Sequence, residues 1–111
     1  MGVRCERVIQ ADEYEVRLLF TNRALADIEA LTGKSIIALA NGFTDGSSGI
    51  TEVAQVLRAG MEAARRDGNT GGKAVSIQDA YDVMDAAGFT TVATVVMEAV
   101  AEVIGYGSKN V

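Results

Sequence analysis

The sequence predicts an α+β fold: a short N-terminal β-hairpin followed by a mainly helical domain of four to five helices. Three observations point there. The first twenty residues carry β-branched and aromatic residues in partial alternation, and the apolar period becomes helical after Phe20. Helix-start and helix-stop residues then punctuate the chain at intervals suited to short helices. The length of 111 residues, 49% hydrophobic and 23% charged, suits one globular domain rather than a disordered chain. That domain is expected over residues 1–105, with a flexible C-terminal tail over 106–111.

The expected strands are Arg4–Gln10 and Tyr14–Phe20, with Ala11-Asp12-Glu13 as a polar turn. Val16, Leu18 and Phe20 fall on one face; Glu15, Arg17 and Leu19 fall on the other. Thr21 or Asn22 can cap a helix to about Thr32 that places Leu25, Ile28 and Leu31 on one side. Gly33 suits the left-handed position that ends helices. Ser35 caps a short second helix through Ile36, Ile37, Leu39 and Ala40, which Asn41-Gly42 is expected to stop.

Thr51 starts the third helix, preceded by Ile50 and with Glu52 in its first turn. Val53, Val56, Leu57, Gly60, Met61 and Ala64 form its apolar stripe, and Arg65, Arg66 and Gly68 close it. Ser76 and Asp79 make a capping pair for a fourth helix with Ile77, Ala80, Tyr81 and Met84, ended by Gly88. Thr90 or Thr91 opens the fifth, which runs to about Ile104.

That last helix is apolar most of the way round. Val92, Val95, Val96, Ala99, Val100, Val103 and Ile104 make one face, and Ala93, Met97 and Ala101 widen it. Such a helix wants burial on two sides. The other elements wrap it, or one side meets another subunit or partner, with Val92, Val96, Met97 and Val100 at the centre of the contact; the two are not exclusive.

Composition removes several function classes. Fifteen acids against ten bases give a formal charge of −5, the wrong sign for non-specific phosphate neutralisation, so no nucleic-acid partner is expected. Arg58, Arg65 and Arg66 are the nearest thing to a basic recognition face, on an otherwise balanced helix. The chain has no His, which removes Ser-His and Cys-His pairs and His-containing metal sites. Its single Cys excludes an internal disulfide, and Cys5 reads as an unreactive thiol on a strand.

The longest nearly uncharged apolar stretch, Phe89–Met97, is far short of a membrane span. No secretory signal is visible, and Glu6 stands where a myristoylation motif wants Ser or Thr. A soluble, intracellular protein without a membrane partner is the expectation.

No motif supplies catalytic chemistry. Gly72-Lys73 resembles the end of a phosphate-binding loop, but Asp67 and Ala74 replace the Gly and the hydroxyl residue that the motif needs. Asp45–Gly49 lacks calcium-loop spacing and reads as a turn. Asp79, Asp82 and Asp85 share a helix face and read as a solvated stripe. No catalytic, cofactor-binding or metal-ligating residues are assigned, and no cofactor is expected.

The order of the pieces carries a resemblance. After the hairpin come FTNRALADIEALTGKSIIALA at Phe20–Ala40, TEVAQVLRAGM at Thr51–Met61, SIQDAYDVMDAAG at Ser76–Gly88, and an apolar helix. This resembles the tail assembly chaperones of long-tailed bacteriophages, closest to the branch that includes the small tail protein of gene transfer agents. The resemblance covers about Glu6 to Ile104. It implies a non-enzymatic protein in the cytoplasm of the bacterial host that binds and solubilises the tape measure protein during tail morphogenesis, with tail tube subunits as further partners; a homo-oligomer is suggested by the apolar pattern of the last helix. Many members of that family are made in two forms by frameshifting, and Ser108-Lys109-Asn110 can be encoded by a slippery heptamer; the codons of Ser108 and Asn110 decide whether this gene has one.

The alternative is a structural tail or connector subunit of a phage-like particle that forms oligomeric rings. The confinement of strands to the first twenty or so residues argues against a tube-type β-sandwich. A small enzyme would need a convergent polar set, which the sequence does not display.

Overall fold

Two strands, β1 (Arg4–Ala11) and β2 (Tyr14–Thr21), form an antiparallel hairpin in the computed structural model, which describes residues 4–46, 49–68 and 72–105. The register pairs Ala11 with Tyr14, Val8 with Arg17 and Cys5 with Phe20. Asp12 and Glu13 make the turn. Asp12 has φ 51°, a left-handed conformation that Asp tolerates better than most residues and that two-residue hairpin turns require at their first position. The side chains alternate as expected: Cys5, Ile9, Ala11, Val16, Leu18 and Phe20 are buried on the inner face.

Five helices follow: α1 (Asn22–Thr32), α2 (Ile36–Asp45), α3 (Ile50–Asp67), α4 (Ile77–Ala87) and α5 (Phe89–Gly105). Local chemistry explains most of their limits. Thr21 Oγ1 accepts the Ala24 N–H at 3.1 Å, and Gly33, with φ 73°, donates its own N–H to the Glu29 carbonyl. Ser35 and Ser76 cap α2 and α4 in the same way, and the Asp79 carboxylate accepts the Ser76 N–H in return. At α3 the Glu52 carboxylate accepts the Gly49 N–H, so Ile50 is the first helical residue and not the residue before the cap.

α5 likewise starts at Phe89, ahead of the expected Thr90 or Thr91. Other expectations also need correction. The second helix does not stop at Asn41-Gly42 but runs through both to Asp45. A helical Gly costs only about 1 kcal/mol, and Phe43 just beyond packs on the core. The left-handed stop is supplied by Gly46, with φ 83°. Leu31 does not share burial with Leu25 and Ile28; it is 55% exposed on the rim of a groove between α1 and α3.

The core lies between the sheet's inner face and the helices. α3 packs mainly on β2, and α5 on β1. The α3 stripe from Val53 to Ala64 is buried except for half-buried Met61. Gly60 has a specific reason to be Gly: a Cβ there would stand 2.6 Å from Phe20 Cζ, so the ring rests on the helix backbone. Val83, which the predicted α4 stripe omitted, is buried beside Ala80 and Met84. Among the described residues, no single helix is long and apolar enough to cross a membrane. The expected tail at 106–111, the Ser108-Lys109-Asn110 run and residues 69–71 of the glycine-rich loop lie outside the described residues.

Candidate functional site

The apolar α5 face was the first candidate for a contact surface. Val92, Val96 and Val100 have no exposed surface, and Met97 is half-buried. α5 touches both strands, α2, α3 and α4, so on the folded chain these valines are core. The wrapped-helix alternative describes their placement. A broad apolar face identifies burial without saying what does the burying.

The polar centre of the molecule is one that the sequence reading missed. Glu62, on α3, is only 6% exposed. Its carboxylate accepts from Arg65 Nε and Nη2 at 3.0 and 2.7 Å, and from Arg66 Nε at 2.8 Å. It also accepts the backbone N–H of Val75 at 2.8 Å. The Arg65 guanidinium, helped by the Val75 N–H and Arg66, holds its pKa down at about 2 against the opposing pull of burial. Arg58 Nη1 donates to the Val75 carbonyl at 3.4 Å. Val75, just ahead of α4, is thus held at both its N–H and its C=O by α3. The sequence signal was there: Glu62 with Arg at i+3 and i+4 is a helical ion-pair pattern. It also accounts for the cations on this helix, since Arg65 and Arg66 pair with Glu62 and Arg58 reaches the Val75 carbonyl.

The other sequence candidates resolve as local structure. Asp79 serves the α4 cap, Asp82 accepts from Gln78 Nε2 at 3.4 Å, and Asp79, Asp82 and Asp85 are all exposed. Among the described residues, no group of three or more Cys, Asp or Glu is placed to hold a metal ion. Cys5 is a buried free thiol, and burial above all raises its pKa, away from the reactive thiolate. Beside it Arg7 Nη2 pairs with Glu102 Oε1 at 2.8 Å and ties the hairpin to α5. Lys34 pairs with Glu52, joining the α1–α2 turn to the start of α3.

Open grooves mark the surface of the described residues, two of them large. One, about 860 Å³, runs between α1 and α3 over Leu19, with Arg23, Asp27, Leu31 and Arg66 along it. The second, about 490 Å³, lies between the hairpin turn and α4 and is lined by Tyr14, Glu15, Met61, Asp82 and Val83 among others. Neither gathers a nucleophile with a base. The hairpin adds a third feature, an outer face bearing Glu6, Val8, Gln10, Glu15 and Arg17, all exposed. Leu19 shares that face by register but is buried against the α1 and α3 side.

A family model described as phage tail tube protein, GTA-gp10, matches the chain over residues 4–102. The match takes in both strands, four complete helices and most of α5. No curated protein and no solved structure matches the chain. The expected kinship therefore holds at the level of phage and gene-transfer-agent tail proteins, and the family's description names a tube protein where the resemblance implied a chaperone. On that match, the chain belongs to the phage tail tube protein, GTA-gp10, family.

Proposed function

We propose that the protein is a non-enzymatic structural component of a phage or gene-transfer-agent tail, acting as a tail or connector subunit through protein–protein association. The observation that carries this reading is the family match across residues 4–102, whose description is of a structural tube protein. The architecture is compatible with the task. Charged side chains at the centre of the fold are used to hold it together, as in the Glu62 cluster. Exposed apolar residues such as Val8, Leu31, Ile37 and Ile50 are spread over the hairpin, α1, α2 and α3, as an associating protein needs.

A second reading has one specific observation in its favour. The described residues contain only two strands, and a tube wall built as a β-sandwich needs several more. A helical, acidic protein fits an assembly chaperone that covers apolar stripes of the tape measure protein and favours its basic stretches. Both readings place the protein in the host cytoplasm while tails are built. Quantitative mass spectrometry of purified particles separates them. A structural subunit is retained at a fixed multiple of the other tail proteins. A chaperone is missing from particles and co-elutes from cell extracts with the tape measure protein.

A further inference from the structure

We infer that the groove between α1 and α3 receives α1 of a second copy, the two α1 helices lying antiparallel about a two-fold axis level with Leu25. The groove runs over buried Leu19 and Ala59, and Leu31 stands exposed on its rim. Six charged side chains line it, three of each sign, so the patch is neutral on a chain of formal charge −5. Two copies can meet there without adding to their mutual repulsion.

The two walls of the groove differ. On α3 every lining charge is already engaged. Arg66 pairs with Glu62, Asp67 pairs with Arg17, and Arg58 donates to the Val75 carbonyl. On α1, Arg23 and Asp27 are exposed and stand about one helical turn apart. Among the described residues neither of these two side chains makes a hydrogen bond or an ion pair, with the other or with any further group.

Charge order selects the occupant and the register. α1 offers a cation and, one turn later, an anion, so the occupant has to offer the same pair in reverse. An antiparallel α1 does this, because a two-fold contact has to be complementary to itself. Arg23 then faces the second copy's Asp27, and Asp27 faces the second copy's Arg23. A parallel pairing would set like charge against like. The antiparallel register also carries Leu31 beyond the second copy's Arg23 toward its Leu19, which covers an exposed leucine on the groove floor. Ala30, exposed beside Leu31, leaves room for the helices to approach. The self-contact goes beyond the tail-subunit reading and stands on the groove alone.

The test is charge reversal read by sedimentation equilibrium, with helical circular dichroism as the check on folding. The parent chain should dimerise. Arg23→Glu and Asp27→Arg should each weaken the dimer at least ~10-fold, because two-fold symmetry doubles every lost pair. The two reversals move the net charge in opposite directions, so weakening by both marks local pairing. A chain carrying both changes, and an equimolar mixture of the single variants, should each return to within ~3-fold of the parent, since opposite charges face each other again. Leu31→Ser should weaken the dimer by ~10-fold through lost apolar cover. A parent that stays monomeric overturns the inference. So does a dimer that ignores the reversals or Leu31→Ser, or one that the double change fails to restore. Particle content is read separately, so failure here leaves the tail reading standing, and absence from particles leaves the pairing standing.

Discussion

The last helix and the first strand invert the usual expectation of which segments a fold covers. α5 is the most apolar segment of the chain, and its valines disappear entirely into the fold. β1 alternates polar and apolar residues and carries charge, yet it keeps an exposed Val8 at the surface. The difference teaches that apolarity of a segment measures its need for cover, which neighbours in the same chain can satisfy.

The largest effect expected is at the centre of α5. Val96→Asp puts an unpaired charge where no surface is exposed, and should destabilise by about 4 kcal/mol or more, enough to unfold a marginal domain. Loss of the helical circular dichroism signal at 25 °C checks it. A folded variant with altered self-association would restore α5 as an interface. Next comes the contact between α3 and the sheet. Gly60→Ala drives a methyl into the Phe20 ring and should cost about 1–3 kcal/mol in urea denaturation. The paired change with Phe20→Leu should recover part of that loss, because the two sites share one contact.

Glu62→Gln is expected to cost about 2 kcal/mol, since it weakens hydrogen bonds to two arginines and to the Val75 N–H. The sign of its pH dependence follows from the lowered pKa. The folded value lies near 2, below the unfolded carboxylate's, so the contribution is complete above about pH 5 and is lost as pH falls through the folded value. The variant should therefore differ most from the parent at neutral pH, and the gap should narrow in acid. The smallest effect on stability belongs to the strand edge: Val8→Lys should change the unfolding free energy of the monomer by less than about 0.5 kcal/mol. A large loss there would mean that Val8 is structural after all.

Much of this comparison was legible in the sequence, but unevenly. Thr21, Ser35 and Ser76 announced their helices because capping is local chemistry, readable from a hydroxyl ahead of an apolar period. Gly33 and Gly88 likewise marked ends. Asn41-Gly42 misled because a breaking signal was weighed without Phe43, whose packing carries the helix onward. Leu31 and Leu19 misled in opposite senses, one exposed at the right helical spacing and one buried on the polar face of a strand. Burial at such positions depends on where α1 and α3 sit, which no local pattern encodes. Glu62 was passed over because its partners include the backbone of Val75, thirteen residues away across a loop. The α5 face was seen correctly as apolar, but periodicity does not distinguish a chain's own helices from a second copy's.

Hydrogen–deuterium exchange at low and high protein concentration reads the burial of α5 most directly. The account predicts that the amides of Val92–Val103 stay protected at the same level throughout, as the core of one chain. Protection in α5 that rises with concentration would contradict it.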